Sequence, residues 1–249
     1  MKTLMTIVFY RALSVIFWLN VVGLGDGLGV YVQSGERGAL KTLKRYDFTS
    51  ESDGDATAWL RKNGFEKKLD ADALKPRFEG GSLVLSTMEK TAGLLGKEFS
   101  PAEYLQGIKK IRVEWGVRRY PIGADWGRGI NRVPIAVMVT YGTERFPSGL
   151  PFGIQDAPRF ISAFIGYKEI EGRSYVGKYW KEGGRYVCVA SGDRSGDTIV
   201  SELELEERFK ATYRQISTPP ITAFAFQMNT EDTTGGAEAF IRKVEFIGK

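Results

Sequence analysis

The residues best suited to hold a ligand lie close together in the segment 115–128. They combine aromatic, basic and acidic side chains: Arg118, Arg119, Tyr120, Asp125, Trp126 and Arg128. Sugar-binding surfaces place a flat aromatic ring under the apolar face of the sugar, and polar groups fix its hydroxyls. Trp126 stands in a Gly-rich stretch, where a large ring can be exposed, whereas Trp115 alternates with Ile111 and Val113 and is expected in the core. The segment predicts a glycan-binding surface with Trp126 as its aromatic platform.

A second group of polar residues occupies the segment 229–236. Asn229, Glu231 and Asp232 supply oxygen atoms, and two glycines follow them. One interpretation is a hairpin turn whose side chains hydrogen-bond their own backbone. The other is a calcium site, because Ca²⁺ prefers such oxygen ligands, although the spacing of an EF-hand is absent.

Several kinds of catalysis are excluded by residue type. The chain contains no histidine and one cysteine, Cys188. It therefore has no Ser-His-Asp or Cys-His nucleophile system, no histidine-bound metal and no disulfide within the chain. We expect Cys188, which lies in an apolar alternation, to be a small buried residue. A glycosidase-like pair of carboxylates remains open, but the sequence fixes no distance between two acids.

Composition limits the class of partner. The chain has 249 residues, 43% of them hydrophobic, and a formal net charge of +5. This content is typical of a folded protein with a substantial core. The positive charges are spread along the chain and form no dense stripe, so we expect no nucleic-acid partner.

The first 25 residues predict export. Lys2 and Arg11 are their only charges, and an apolar run from Ala12 to Leu24 precedes several glycines. That pattern is typical of a signal peptide, and the alternative is an uncleaved membrane anchor. We therefore expect a periplasmic or extracellular protein, which contacts a membrane only through residues 1–25 if they are retained. Residues 26–249 are expected to form a single domain.

The rest of the chain reads mainly as strands, because apolar residues recur at every second position. Strands are predicted at 83–85, 111–117, 133–141, 160–167, 175–180, 185–191, 221–228 and 239–247. Two helices are predicted, at 55–62 and 201–215, with a strand over 198–205 leading into a shorter helix as the alternative to the second. Several strands are apolar on both faces, so a second sheet must cover one face and loops or a helix the other. We predict an all-β fold, an antiparallel two-sheet jelly-roll-like sandwich with two short peripheral helices.

Four segments resemble an uncharacterised bacterial family, the domain of unknown function 3047. They are LVLSTMEKTAGLL at 83–95, RVEWGVRRYPIGAD at 112–125, the helix at 206–215, and FAFQMNTEDTTGGAEAFIRKVEFI at 224–247. The resemblance implies an exported sandwich domain similar in outline to carbohydrate-binding jelly rolls, without an established activity. After Asp125 that family tends to carry more acids, whereas this chain continues Trp126-Gly127-Arg128.

Three functions follow as hypotheses. The first is a non-enzymatic exported domain that binds an envelope or extracellular glycan. The second is a structural or interaction subunit that binds a protein partner in an envelope assembly, and the third is an enzyme that acts on a glycan through paired carboxylates. Fold alone does not choose among them.

Overall fold

Alternating apolar residues build two β-sheets in the computed structural model, which describes residues 39–149 and 155–249. The strands are β1 (Lys41–Asp47), β2 (Gly54–Asp55), β3 (Phe65–Leu69), β4 (Arg77–Phe78), β5 (Leu83–Thr87), β6 (Ala92–Glu98), β7 (Ile108–Arg119), β8 (Val133–Phe146), β9 (Ala157–Ile165), β10 (Ser174–Tyr175), β11 (Gly184–Ala190), β12 (Ile199–Glu204), β13 (Ile221–Asn229) and β14 (Ala237–Gly248). The helices are α1 (Thr57–Lys62) and α2 (Leu205–Tyr213), and short 3-10 turns lie at Ala71–Leu74, Pro101–Glu103 and Trp126–Arg128.

The two sheets pack face to face, which confirms the predicted all-β sandwich with two helices. Sheet 1 has the order β12-β7-β14-β5-β4-β2, and β1 also pairs with β14. Sheet 2 has the order β10-β11-β9-β8-β13-β6-β3. Among the described strands, the antiparallel prediction fails for one pair, because β9 and β11 run parallel. The chain between them, residues 166–183, crosses back along the sheet and must run as a long connection.

The core lies between the sheets, as the alternation in β7 predicts. Ile111, Val113, Trp115 and Val117 are buried in it. On the opposite face of the same strand, Glu114 pairs with Arg242 at 2.9 Å. The prediction that Trp115 belongs to the core is confirmed, and its Nε1 donates a hydrogen bond to Ser201 Oγ at 3.0 Å.

A second apolar cluster covers the outer face of sheet 2. Ala136 and Phe164 are paired across β8 and β9, and both point away from the main core. Residues from two long connections pack over them, among them Trp126 and Tyr175. The expectation that loops cover a second apolar face is confirmed here, because an uncovered apolar sheet face would remain in water.

Two local predictions are corrected. The predicted strand at 175–180 is reduced to the two-residue strand Ser174–Tyr175, and Trp180, with a left-handed backbone (φ 49°), lies outside any strand. Residues 199–204 are the strand β12 and only Leu205–Tyr213 is helical, so the strand-then-helix alternative is correct. Helix α2 then packs Phe209 on Tyr141, with ring centroids 4.5 Å apart.

One end of the sandwich gathers five connections: 88–91, 120–132, 166–173, 191–198 and 230–236. Backbone hydrogen bonds join them to one another. Ile122 pairs with Thr234, Gly192 donates to Tyr167, and Thr230 donates to Thr91. We call this group the loop end. Loops fixed by neighbouring loops on a rigid sheet are a common place for binding residues.

Candidate functional site

The loop end contains a cleft of about 430 Å³. Its walls are residues 118–124 at the end of β7, Tyr167 and Lys168 after β9, and Asp193 and Ser195 after β11. We call it the Tyr167 cleft. The structure therefore brings Arg118, Arg119 and Tyr120, three of the predicted site residues, to one concave surface.

Two tyrosines form the aromatic wall of the Tyr167 cleft. The rings of Tyr120 and Tyr167 meet edge to face, with centroids 5.1 Å apart. Tyr167 is 45% exposed, whereas Tyr120 is more deeply buried. Burial raises the pKa of Tyr120 to about 12, so its hydroxyl stays protonated and neutral across the physiological range.

The cationic groups of the cleft differ in how fully they are paired. Arg118 Nη1 contacts the carboxylates of Glu79 and Glu238. Arg119 Nη2 makes only long contacts to the carbonyl oxygens of Thr87 (3.4 Å) and Ala237 (3.3 Å). Lys168 Nζ lies 3.9 Å from Asp125 Oδ2, beyond hydrogen-bonding distance. Two of the three cations thus keep donors for a ligand.

Trp126 does not form the exposed platform that the sequence predicts. It is 7% exposed and stacks on Phe164, with ring centroids 5.2 Å apart. Its Nε1 donates to the carbonyl oxygen of Arg132 at 3.1 Å. The prediction of an exposed ring is wrong because the apolar outer face of sheet 2 needs a cover, and the largest nearby ring supplies it.

Asp125 and Arg128 lie beside the cleft and do not line it. Asp125 Oδ1 accepts the backbone N–H of Arg128 at 3.1 Å and so caps the short 3-10 turn. The side chain of Arg128 is exposed. The role that the structure shows for Asp125 is therefore to cap this turn.

A buried carboxylate, Glu169, organises the cleft from behind. It accepts backbone N–H groups from Trp126 (3.0 Å), Tyr167 (2.8 Å) and Lys168 (3.1 Å). These bonds join the connection 120–132 to the connection 166–173. The sequence shows Glu169 only as an acid near a strand end, because its partners are backbone groups that no residue type reveals.

The acidic loop 229–236 already holds a cation, the guanidinium of Arg132. Arg132 contacts the carboxylates of Glu231 (3.3 Å) and Asp232, and its Nε donates to the carbonyl oxygen of Glu231 at 2.6 Å. Asn229 Oδ1 accepts the N–H of Glu231, as in a self-bonded turn. The described residues contain no cluster of three or more acids, cysteines or histidines that could hold a metal ion. The loop therefore forms the self-bonded turn of the first interpretation, with its acids paired to Arg132.

One further sequence expectation concerns a residue outside the cleft. Cys188 is fully buried, as predicted, and burial raises the pKa of its thiol to about 11. The turn at 191–197, which supplies Asp193 and Ser195 to the cleft, pairs Arg194 with Asp197 at 3.0 Å.

A larger open cleft, about 580 Å³, lies at the start of the sandwich between β2, β4 and the turn Ala71–Leu74. Asp55 and Asp72 both line it, and Asp72 pairs with Lys67 at 3.0 Å. The Asp72 side chain is almost fully exposed. The carboxylate of Asp72 therefore lies in water beside Lys67.

No protein-family model and no curated protein matches this chain. The resemblance to the domain of unknown function 3047 stays an expectation from short motifs. The predicted leader, residues 1–25, lies outside the described residues. Within the described part, neither helix combines the length and apolar character that crossing a bilayer requires.

Proposed function

We propose that this chain is an exported, non-enzymatic glycan-binding domain, and that its ligand lies in the Tyr167 cleft. The observation that carries the proposal is the half-exposed Tyr167 ring at the edge of a concave surface. An aromatic ring in this position stacks on the apolar face of a sugar. The supporting geometry is the rigid mounting of that ring by Glu169 and Tyr120.

Polar groups around the ring complete the features of a sugar site. Ser195 brings a hydroxyl group to the cleft, and Arg119 and Lys168 supply N–H donors. A small number of fixed polar groups on a partly apolar wall gives a binding site its orientation and specificity. The role of aromatic platform, which the sequence predicted for Trp126, is thus assigned to Tyr167. The proposed class of ligand, a glycan, is unchanged.

A second candidate, the subunit of an envelope assembly, has one observation in its favour. Met88 and Ile122 are large, exposed apolar residues at the loop end. They border the same Gly235–Gly236 turn, since added β-carbons there would meet Ile122 and Met88. Exposed apolar side chains that adjoin one another favour contact with a protein.

The deciding experiment is binding of envelope and extracellular oligosaccharides to the full-length chain, measured by calorimetry. We expect saturable binding that Tyr167→Ala weakens at least about tenfold, as loss of a stacked ring does. Tyr179→Ala is the matched control, because Tyr179 is a partly exposed ring outside the cleft. Retention of full affinity by Tyr167→Ala contradicts this site. The assembly subunit is supported instead if no glycan binds and if the unmodified chain captures a protein partner that Met88→Ser no longer captures.

A further inference from the structure

We infer that the Tyr167 cleft recognises an acidic saccharide, whose sugar carboxylate is bound by Arg119 and Lys168. The inference rests on the proposed function and names its ligand class. The juxtaposition that carries it is two incompletely paired cations beside an exposed aromatic ring.

Arg118 is excluded from this role by its partners. Its guanidinium contacts both Glu79 and Glu238 and lies over the Phe240 ring, with the guanidinium carbon 5.6 Å from the centroid. Arg77 donates to the same two carboxylates. Four charges thus neutralise one another, and a ligand would have to break that network to reach Arg118.

Arg119 keeps unused hydrogen-bond donors. Its nearest carboxylate oxygen, Oε2 of Glu238, is 4.0 Å from Nη2, and the side chain is 39% exposed. Its Nε is buried and has no hydrogen-bond partner among the described residues. Nη1 has no hydrogen-bond partner among the described residues and is not buried, so it is the donor that Arg119 offers to a ligand carboxylate in a charge-assisted hydrogen bond.

Lys168 supplies the second positive charge from the opposite connection. Its side chain is 54% exposed, and its ammonium reaches Asp125 only at 3.9 Å. The backbone of Lys168 is fixed because its N–H donates to Glu169. The ammonium of Lys168 therefore faces solvent from a fixed backbone position, which suits an anion that enters from water.

The acid that lines the cleft, Asp193, is engaged in its own turn. Its Oδ1 accepts the N–H of Ser195 at 3.2 Å and the hydroxyl of Ser195 at 2.8 Å. These hydrogen bonds hold the pKa of Asp193 below its ordinary value, so it stays ionised and its free oxygen accepts sugar hydroxyls. The cleft thus offers separate partners for a carboxylate and for hydroxyl groups.

The test compares oligogalacturonate, alginate and glucuronate oligosaccharides with their methyl esters, using the full-length chain in a calorimeter. The ester keeps the ring and linkage and removes the charge. We expect at least one acid to bind about tenfold or more tightly than its ester, the effect of one charge-assisted hydrogen bond. We also expect the difference to shrink at high salt.

Two variants test whether Arg119 and Lys168 bind the sugar carboxylate. Arg119→Gln and Lys168→Gln should each weaken binding of the acid about tenfold and weaken binding of the ester by a smaller factor, so that the preference for the acid shrinks. Lys178→Gln is the control, since Lys178 lies outside the cleft next to Tyr179. Lys168→Gln keeps the test valid if Arg119→Gln lowers the melting temperature, because the Lys168 side chain faces solvent.

The outcomes separate the inference from the proposed function. Equal binding of acid and ester, or preference for a sulfated saccharide over every uronate, overturns the carboxylate assignment and keeps the glycan proposal. Binding of no saccharide, acidic or neutral, overturns the glycan proposal and this inference with it.

Discussion

Glu169 Oε1 accepts the backbone N–H of Trp126 at 3.0 Å, across a sequence separation of 43 residues. Its other oxygen accepts the N–H groups of Tyr167 and Lys168. One buried carboxylate therefore holds both the tryptophan that covers sheet 2 and the tyrosine that stands in the cleft. The position of the ring in the Tyr167 cleft depends on a residue that does not itself line the cleft.

Glu169→Ala should lower the free energy of unfolding by about 3 kcal/mol, because backbone N–H groups of three residues lose a charged acceptor. Urea denaturation measures the change. Glu171→Ala is the control, since Glu171 is exposed two positions away and should change stability by less than about 0.5 kcal/mol. Equal effects of the two substitutions would show that Glu169 does not organise the loops.

Trp126→Ala should lower the free energy of unfolding by about 3–5 kcal/mol, the range for truncating a large buried aromatic residue. The ring stacks on Phe164 and lies 4.7 Å from the Tyr186 ring, so a cavity would open on the outer face of sheet 2. Thermal and urea unfolding both report it. An unchanged melting temperature together with lost glycan binding would restore Trp126 as a ligand platform.

Arg132→Gln should destabilise the protein by about 2 kcal/mol, because the buried guanidinium no longer donates to the carbonyl oxygens of Glu231 and Asn131. The unmodified protein should melt at the same temperature in calcium and in a chelator. Lys75→Gln, a change in a distant exposed residue, controls for charge alone. Stabilisation of the unmodified protein by Ca²⁺ would return the loop 229–236 to the metal-site interpretation.

Stability should fall as the pH rises from about 9 towards 12. Burial raises the pKa of Cys188 from 9.0 to about 11 and that of Tyr186 from 10.0 to about 12. The unfolded chain therefore loses these protons at a lower pH than the folded one, so stabilisation is complete below pH 9 and is lost through the folded pKa values. Melting curves between pH 7 and pH 12 test this.

Cys188→Ala measures how much of the stability lost at alkaline pH comes from ionisation of the Cys188 thiol. The variant should lose less stability than the unmodified protein between pH 9 and pH 11, because alanine does not titrate. Thiol labelling at pH 8 should be slow in the folded protein and fast after unfolding, since the thiol is fully buried. Rapid labelling of the folded protein would contradict the burial of Cys188.

Local chemistry makes several elements of this protein predictable from sequence. In β7, residues at alternate positions share a face, so Ile111, Val113 and Trp115 had to be buried together once the segment was extended. The strand β3 was missed for a related reason. Its segment, FEKKL, carries three charges because it lies at the edge of sheet 2, and a charged edge strand lacks the apolar alternation that marks a strand.

The candidate site was predictable in part. The run Arg118-Arg119-Tyr120 ends a long strand, and residues at strand ends adjoin loops, so its place at the cleft follows from the sequence. The sequence does not show which of the two rings, Trp126 or Tyr167, is exposed. Both are aromatic residues near strand ends, and only the packing of Phe164 and Ala136 decides which of them is covered.

The sequence by itself determined which catalytic chemistries are excluded, which class of fold forms and which faces of the long strands point inward. Residue type and period-2 spacing are local properties, so they can be read directly from the sequence. The tertiary structure alone decided that Lys168 and Asp193 join Arg119 in one cleft and that Arg132 pairs with acids 99 and 100 residues away. Those contacts join segments far apart in the chain. They depend on strand order and on loop packing, which the spacing of residues along a sequence does not encode.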